Sequence, residues 1–162
     1  PIEEEINLIS VDIVALTRLT KLFLPDFLRR GTGRILNVSS TASLLPGPYQ
    51  ATYFAAKAYV TSLSDALWME TRGTGVTVTS VLPGGLSTEF GTAAGLEGTG
   101  LAQALTQSPY KVALDSYRAM LRGKRRIISG VTWSQRLGLK MIPFVPKILV
   151  LLAAMGLNRK DA

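Results

Sequence analysis

The sequence contains neither cysteine nor histidine, and the two absences exclude several kinds of functional site. Without cysteine, the chain can form no disulfide bond and no thiolate metal site. Without histidine, it lacks the usual general base, the usual zinc ligand and any Ser-His-Asp catalytic triad. An enzyme built on this chain must therefore take its acid/base group from Tyr, Lys, Asp or Glu, and we predict no metal site.

Long apolar runs are absent as well. The longest, from Ile148 to Leu157, has about ten residues and is too short to span a bilayer. Apolar residues make up 47% of the 162 residues and charged residues 18%, as in ordinary globular proteins. The sequence shows no signal-peptide pattern, so we expect a cytoplasmic protein.

The positive charge is concentrated in the last third of the chain. Residues 110–162 contain eleven Lys or Arg against two carboxylates, a balance of +9, whereas residues 1–109 have a balance of −2. This surplus fits a solvated basic face, and it also fits attraction to an anionic membrane surface. No aromatic-and-basic stripe or known binding motif accompanies it, so nucleic acid is not an expected partner.

Helical and strand-like patterns alternate along the chain. Apolar residues at helical spacing predict three helices, over residues 6–30, 51–72 and 109–121. Pro25 is expected to kink or interrupt the first of them. Short β-branched runs bounded by Gly or Pro predict three strands, over residues 34–39, 76–82 and 126–129. Such alternation implies an α/β fold with a parallel sheet and helices on its faces.

Two segments fall outside this alternation. Residues 86–107 are rich in Gly, Thr and Ala, and we predict a loop that serves as a substrate lid. Residues 131–162 form an apolar and basic carboxyl-terminal extension. Its helix is predicted to pack on the domain or on a second subunit. Since Arg136, Lys140 and Lys147 flank the apolar stretch, a helix lying in a membrane interface is the alternative.

Tyr53 and Lys57 are the first candidates for acid/base chemistry. They stand four residues apart on a predicted helix, which places both side chains on one face. A phenol ordinarily has a pKa near 10, and a neighbouring ammonium favours the phenolate and lowers that pKa. The pair could then exchange a proton with a substrate hydroxyl. Taken alone, it also fits an ordinary solvated contact.

Further candidates follow the carboxyl ends of two predicted strands. Ser40 comes at the end of the first, where its hydroxyl could stabilise charge on a substrate oxygen or simply cap a turn. Pro83, Gly84 and Gly85 end the next strand, where glycine would let a flat ring approach the backbone. Thr88, a little further on, could bond an amide. Locally, Pro-Gly-Gly is no more than a turn.

Taken together, these motifs resemble a known family. Ser40, Tyr53-Phe54-Ala55-Ala56-Lys57 and Leu82-Pro83-Gly84-Gly85-Leu86-Ser87-Thr88 are similar, in order and spacing, to the Ser, Tyr-x-x-x-Lys and Pro-Gly motifs of the classical short-chain dehydrogenase/reductases. Arg34 to Ser40 also resembles that family's strand leading into the catalytic Ser. The resemblance covers most of residues 1–130.

The resemblance implies an oxidoreductase that transfers hydride between NAD or NADP and an alcohol or carbonyl compound. Tyr53 would be the acid/base, Lys57 would lower its pKa and hold the nicotinamide ribose, and Ser40 would position the substrate oxygen. The remaining family positions would contact the nicotinamide, namely Pro83, Gly84, Gly85, Leu86 and Thr88. The family also implies a homo-oligomer, a dimer or tetramer packed through the two long helices. The apolar lid and extension suggest a lipophilic substrate.

The chain departs from the family pattern in two respects. Asp12 stands where the family usually carries an Asn, so the amide donor is lost and a charge is added. A carboxylate could still anchor a water, which predicts impaired activity or an altered pH dependence; alternatively, Asp12 only caps or solvates its helix.

The glycine-rich phosphate loop is the second departure, because no Gly-x-x-x-Gly-x-Gly follows an early strand. We therefore expect a Rossmann-like, doubly wound parallel sheet of which only the second half is present, with about three strands and flanking helices. The residues that would distinguish NAD from NADP belong to the other half. A non-catalytic remnant that acts as an interaction or membrane-surface module is the alternative function.

Overall fold

A three-stranded parallel sheet lies at the centre of the computed structural model, which describes residues 1–86 and 107–159. The strands are β1 (Gly33–Val38), β2 (Val76–Pro83) and β3 (Arg126–Ser129). Their order is β1-β2-β3, with Val38 opposite Val81 and Pro83 opposite Ser129. The predicted α/β class is confirmed, and the flanked parallel sheet is Rossmann-like.

Within the described residues, six helices and two short 3₁₀ turns accompany the sheet, and the helices predicted over 51–72 and 109–121 lie close to their predicted bounds. The helices are α1 (Ile2–Ile9), α2 (Leu16–Arg30), α3 (Ala51–Glu70), α4 (Pro109–Leu121), α5 (Trp133–Met141) and α6 (Lys147–Asn158). The 3₁₀ turns span Thr41–Leu44 and Ile142–Phe144.

The first helical region is longer than predicted and contains an irregular turn. A π-helical segment, Ser10–Ala15, joins α1 to α2 without a break. Of the two effects predicted for Pro25, an interruption is wrong, because α2 continues to Arg30 and ends only where Gly31 adopts a left-handed conformation with φ of 65°; a kink stays a prediction. Proline deprives a helix of one N–H donor, yet α2 continues past it, with Thr20 and Leu24 buried on its inner face.

The apolar core lies between β1, β2 and the helices α2 and α3. Leu24, Leu67, Val76 and Val78 are buried together. The central strand β2 is buried along most of its length, which explains its run of apolar and β-branched residues. A polar bridge crosses this core, where the Asn37 side chain on β1 donates to the Ser64 hydroxyl on α3 at 3.0 Å.

The carboxyl-terminal extension folds back onto the same unit. Thr132 and Gln135 form a reciprocal capping box at the start of α5. On α6, Ala154 and Asn158 are buried, and the Asn158 amide donates to the Pro48 carbonyl at 2.9 Å. Among the described helices, none combines the length and the apolar character needed to cross a membrane.

Candidate active site

Ser40 lies at the carboxyl end of β1, beside Tyr53. The preceding residue completes the strand, since the Ser39 N–H donates to the Val81 carbonyl at 2.8 Å. The Ser40 hydroxyl accepts from the Ala42 N–H at 3.1 Å and so caps the 3₁₀ turn, and it also hydrogen-bonds the Tyr53 side chain. Ser40 is thus a turn cap as predicted and also contacts the candidate acid/base, while its action on a substrate oxygen stays a prediction.

Tyr53 and Lys57 project from the first turns of α3 as the spacing predicted. The Lys57 ammonium lies 5.6 Å from the centre of the Tyr53 ring, and the neighbouring Phe54 ring meets Tyr53 edge-on at 5.9 Å. Ser39, at the end of β1, holds α3 in place: its hydroxyl donates to the Lys57 carbonyl at 2.8 Å and contacts the Thr61 hydroxyl at 2.7 Å. These two hydrogen bonds set the distance between Ser40 and the Tyr53–Lys57 pair.

Sequence reasoning missed the role of Ser39. Successive strand residues point to opposite faces, so a Ser-Ser pair at a strand end presents one hydroxyl to each side. In this chain Ser40 faces the site, and Ser39 is buried at 3% exposure against α3. This alternation along the strand is the sequence feature from which the buried position of Ser39 could have been predicted.

Asp12 makes a direct ion pair with Lys57. Its carboxylate oxygen Oδ2 is 2.9 Å from the lysine Nζ, and the side chains of Lys57 and Asp12 are only 12% and 23% exposed. Asp12 belongs to the π-helical segment Ser10–Ala15. The alternative in which Asp12 merely caps or solvates its helix is therefore wrong.

The electrostatic surroundings raise the pKa of Tyr53 above its ordinary value. Burial of the phenol is the largest cause; the hydrogen bond from Ser40 lowers the pKa, and the negative charge of Asp12 raises it again. The presence of Lys57 led us to predict a lowered pKa for Tyr53, and the net shift has the opposite direction. The main physical reason is burial of the phenol, which disfavours its charged form; the carboxylate of Asp12, paired with the Lys57 ammonium, adds to the rise.

One pocket of about 370 Å³ connects these groups to the end of β2 and to the extension. Its polar side is formed by Ser40, Tyr53 and Lys57, and Pro83, Gly84, Gly85 and Leu86 follow along the strand end. The extension contributes three apolar residues to the lining of the same pocket: Leu139, Ala154 and Leu157. The structure thus brings together every predicted site residue within its described ranges, with Asp12 reached through Lys57.

Part of the predicted site lies outside the described residues. Thr88 is among these, as is the predicted lid apart from its two ends. Those ends are held together: Leu86 and Gln107 form a parallel bridge, and the Gln107 N–H donates to the Gly85 carbonyl at 3.2 Å.

Comparison with known proteins bears on the same residues. A family model described as short chain dehydrogenase matches residues 2–97, more than half of the chain. The matched range includes Asp12, Ser40, Tyr53, Lys57 and the strand end at Pro83. The chain belongs to the short-chain dehydrogenase family.

Individual relatives agree with this assignment. An uncharacterized oxidoreductase of Bacillus subtilis, YvrD, is 41% identical over 105 residues, which cover 65% of this chain and 39% of the relative. A very-long-chain 3-oxoacyl-CoA reductase of Rattus norvegicus is 39% identical over 77 residues, covering 48% of this chain and 25% of that enzyme. The chain therefore spans less than half the length of these curated relatives.

A solved structure superposes on most of the chain. A short-chain dehydrogenase from Sphingobium yanoikuyae in complex with NADPH has a TM-score of 0.70 and 26% identity, covering 84% of this chain and 52% of that one. The superposition extends the likeness of this short-chain dehydrogenase chain from sequence motifs to the arrangement of its elements.

Gly84 has a packing role in addition to its place in the pocket. A Cβ at Gly84 would lie 2.2 Å from the Gly130 carbonyl oxygen, which belongs to the backbone leaving β3. The Gly84 N–H also donates to the Ser129 carbonyl at 2.9 Å. No side chain fits between these two backbones, so glycine is required by the close approach of β2 and β3.

Substitution of Gly84 by Ala is expected to destabilise the fold by about 1–3 kcal/mol, because the backbone around Gly130 must shift. Gly138→Ala is the matched control, since a Cβ at Gly138 meets nothing within 4 Å. Denaturant unfolding of both variants measures the difference. Equal stabilities for the two would contradict the packing role of Gly84.

Proposed function

We propose that this chain forms the catalytic part of an NAD(P)-dependent oxidoreductase that interconverts an apolar alcohol and its carbonyl compound. The observation that carries the proposal is the convergence of Ser40, Tyr53 and Lys57 on one mostly apolar pocket. This convergence involves two separate elements, the end of β1 and the start of α3, so it is a tertiary feature rather than a local sequence pattern.

The nicotinamide, when bound, supplies hydride to the carbonyl carbon or accepts it from the alcohol carbon. The chain's own residues manage the proton. In reduction, the substrate oxygen gains an electron pair and takes the hydroxyl proton of Tyr53; in oxidation, the Tyr53 phenolate takes the proton of the alcohol. Ser40, already hydrogen-bonded to Tyr53, is placed to donate to the same substrate oxygen and stabilise its charge.

The residues present fit a nicotinamide nucleotide. The pocket contains a stretch without bulky side chains, at Gly84 and Gly85, next to a lysine. An ammonium has three donors, so Lys57 can keep its bond to Asp12 and still donate to ribose hydroxyls. The solved relative from Sphingobium yanoikuyae, which contains NADPH, supports the same cofactor class.

The pocket lining favours a lipophilic substrate. Leu45, Phe54 and Leu86 line it, together with the three apolar residues of the extension, and Lys57 is the single charged side chain among its described lining residues. Burial of an apolar substrate against such a lining is favourable in free energy, and the lining offers no partner for further charges on the substrate. The similarity to a reductase named for very-long-chain substrates supports this class.

Ala154 tests the substrate class directly. Replacing this buried alanine by Phe places a ring in the pocket wall, and we expect KM for a bulky apolar alcohol to rise about 10-fold or more, with a smaller effect on a short alcohol. Ala153→Phe, one residue earlier on the exposed side of α6, is the matched control. Equal effects of both variants on both alcohols would refute the assignment of α6 as a substrate wall.

Exposed apolar side chains on the helices support two further parts of the proposal. Leu19, Leu22 and Phe23 on α2 are half exposed or more, which favours packing against a second copy of the chain. On α6 the exposed residues Ile148 and Leu152 favour a peripheral membrane contact or a purely interacting module. Cofactor binding separates the module from the enzyme, because a module without catalytic function would bind no nicotinamide nucleotide.

A further inference from the structure

We propose that Asp12 is a positioning residue that holds the Lys57 ammonium by a direct ion pair and thereby sets the pH range over which the site exchanges protons with its substrate. The proposal rests on the proposed function for Tyr53. It assigns to Asp12 an electrostatic role, acting through Lys57.

The ion pair is built into the fold. Asp12 reaches Lys57 from a π-helical segment, whose wider turn changes the direction of the side chains after it relative to an α-helix. On either side of this segment, α3 is tied to the first helical region: Thr52 donates to the Glu5 carboxylate, and Thr17 and Tyr59 share a hydrogen bond of 2.9 Å. These contacts fix the position of Asp12 opposite Lys57.

Few other charges lie near Tyr53 among the described residues, so the ion pair of Asp12 and Lys57 dominates the electrostatic environment of the phenol. Lys57 is the only charged group among the described residues lining the pocket, and Asp12 is its partner at 2.9 Å. From β1, the groups that approach are the neutral hydroxyls of Ser39 and Ser40. Glu5, the other carboxylate brought to α3 by the first helical region, is bonded to exposed Thr52. Charges this close to a buried phenol are weakly screened.

Two opposite charges therefore act on the Tyr53 phenolate. The ammonium favours the phenolate and the carboxylate disfavours it, so the charge of Asp12 opposes the effect of Lys57. Burial raises the pKa of Tyr53, a hydrogen bond from Ser40 lowers it, and the charge of Asp12 adds to the rise. The phenolate that alcohol oxidation requires accordingly accumulates only at alkaline pH.

Asp12→Asn removes the negative charge and keeps the shape of the side chain. Lys57 then acts unopposed, so the pKa of Tyr53 falls. The sign follows directly: the oxidation rate rises with pH as Tyr53 ionises, so this rise moves to lower pH in D12N. The rate of carbonyl reduction, which requires protonated Tyr53, declines at lower pH than in the unaltered protein.

The first experiment compares pH–rate profiles of the protein expressed from its complete gene. We expect D12N to oxidise the alcohol several-fold faster below neutral pH, and Asp12→Glu, which restores the charge, to return the profile toward the original. Asp26→Asn is the control, because Asp26 lies on the same helical region but pairs with Arg29 at the surface. A D12N profile that coincides with the original one would overturn the proposal.

The second experiment needs no turnover. The phenolate of Tyr53 is titrated by ultraviolet difference absorbance in the cofactor-free protein, taking the signal lost in Tyr53→Phe as that of Tyr53. We expect the titration to move to lower pH in D12N and to stay unmoved in D26N. An unmoved titration in D12N refutes the role of Asp12 even if Tyr53 proves essential, whereas an active Tyr53→Phe refutes the proposed function instead.

Discussion

Replacement of Tyr53 by Phe is expected to abolish turnover while the protein stays folded. The change removes one hydroxyl, which is the group that exchanges a proton with the substrate, and general acid–base groups of this kind contribute about 10²–10⁴-fold to rates. The lost hydrogen bond to Ser40 costs only about 0.5–1.5 kcal/mol of stability. The measurement is the rate of NAD(P)H-linked turnover, with circular dichroism to verify folding.

Tyr110→Phe is the matched control for this prediction. Tyr110 lies at the start of α4 with 78% of its surface exposed, and it is not among the described residues that line the pocket. The same chemical change there should leave the rate unaltered. Full activity in Tyr53→Phe, or equal losses in the two variants, would contradict the assignment of Tyr53 as the acid/base.

Replacement of Lys57 by Met is expected to cause the second large loss. Met keeps the length of the side chain but removes the ammonium, so the site loses its only cation among the described lining residues and a donor for the cofactor. Loss of such an electrostatic group lowers the rate by about 10²–10³-fold. Cofactor affinity, measured by calorimetry, should fall together with kcat.

Lys57→Met should also destabilise the protein, because Asp12 is left without its partner in a mostly buried position. Removing one partner of a fully buried ion pair costs about 3–5 kcal/mol, and the partial exposure of Asp12 places the expected cost near or below the lower end of that range. The double variant Lys57→Met/Asp12→Leu removes both charges and should regain stability but not activity. Lys111→Met, at an exposed ion pair with Asp115, is the control and should change neither property.

The strands and the motif residues were predictable from the sequence because their signals are local. β2 is bounded by glycine before it and by Pro83-Gly84 at its end, and its β-branched residues are typical of a buried strand. Ser40 follows β1 directly, and the four-residue spacing of Tyr53 and Lys57 needs only a regular α3 to put them on one face. Since parallel strands end at one edge of the sheet, their meeting at one pocket also follows.

The partner of Lys57 could not be read from the sequence in the same way. Helical periodicity assumes about 3.6 residues per turn, and the π-helical segment Ser10–Ala15 breaks that phase at Asp12. The direction of the Asp12 side chain thus depends on tertiary contacts of α1 and α2 with α3. The raised pKa of Tyr53 also depends on tertiary structure, first through burial of the phenol and then through the charge of Asp12, and neither can be predicted from the spacing of Tyr53 and Lys57.

The part of the pocket lining that the extension contributes could not be predicted from local sequence patterns either. Its apolar composition predicted that α6 packs against other residues, but the actual contact includes the hydrogen bond from the Asn158 amide to the distant Pro48 carbonyl. No spacing rule links residues so far apart in the chain. The same holds for Arg126 on β3, which pairs with Asp65 on α3.

The most direct test of the central claim is to follow the hydride itself. The protein expressed from its complete gene is incubated with an apolar ketone and NAD(P)H carrying deuterium at the hydride-donating carbon, and the product is analysed by mass spectrometry. We predict an alcohol with one deuterium on its carbinol carbon, formed by the unaltered protein and by Tyr110→Phe but not by Tyr53→Phe. Failure to bind the nucleotide, or the same labelled alcohol from Tyr53→Phe, would contradict the account.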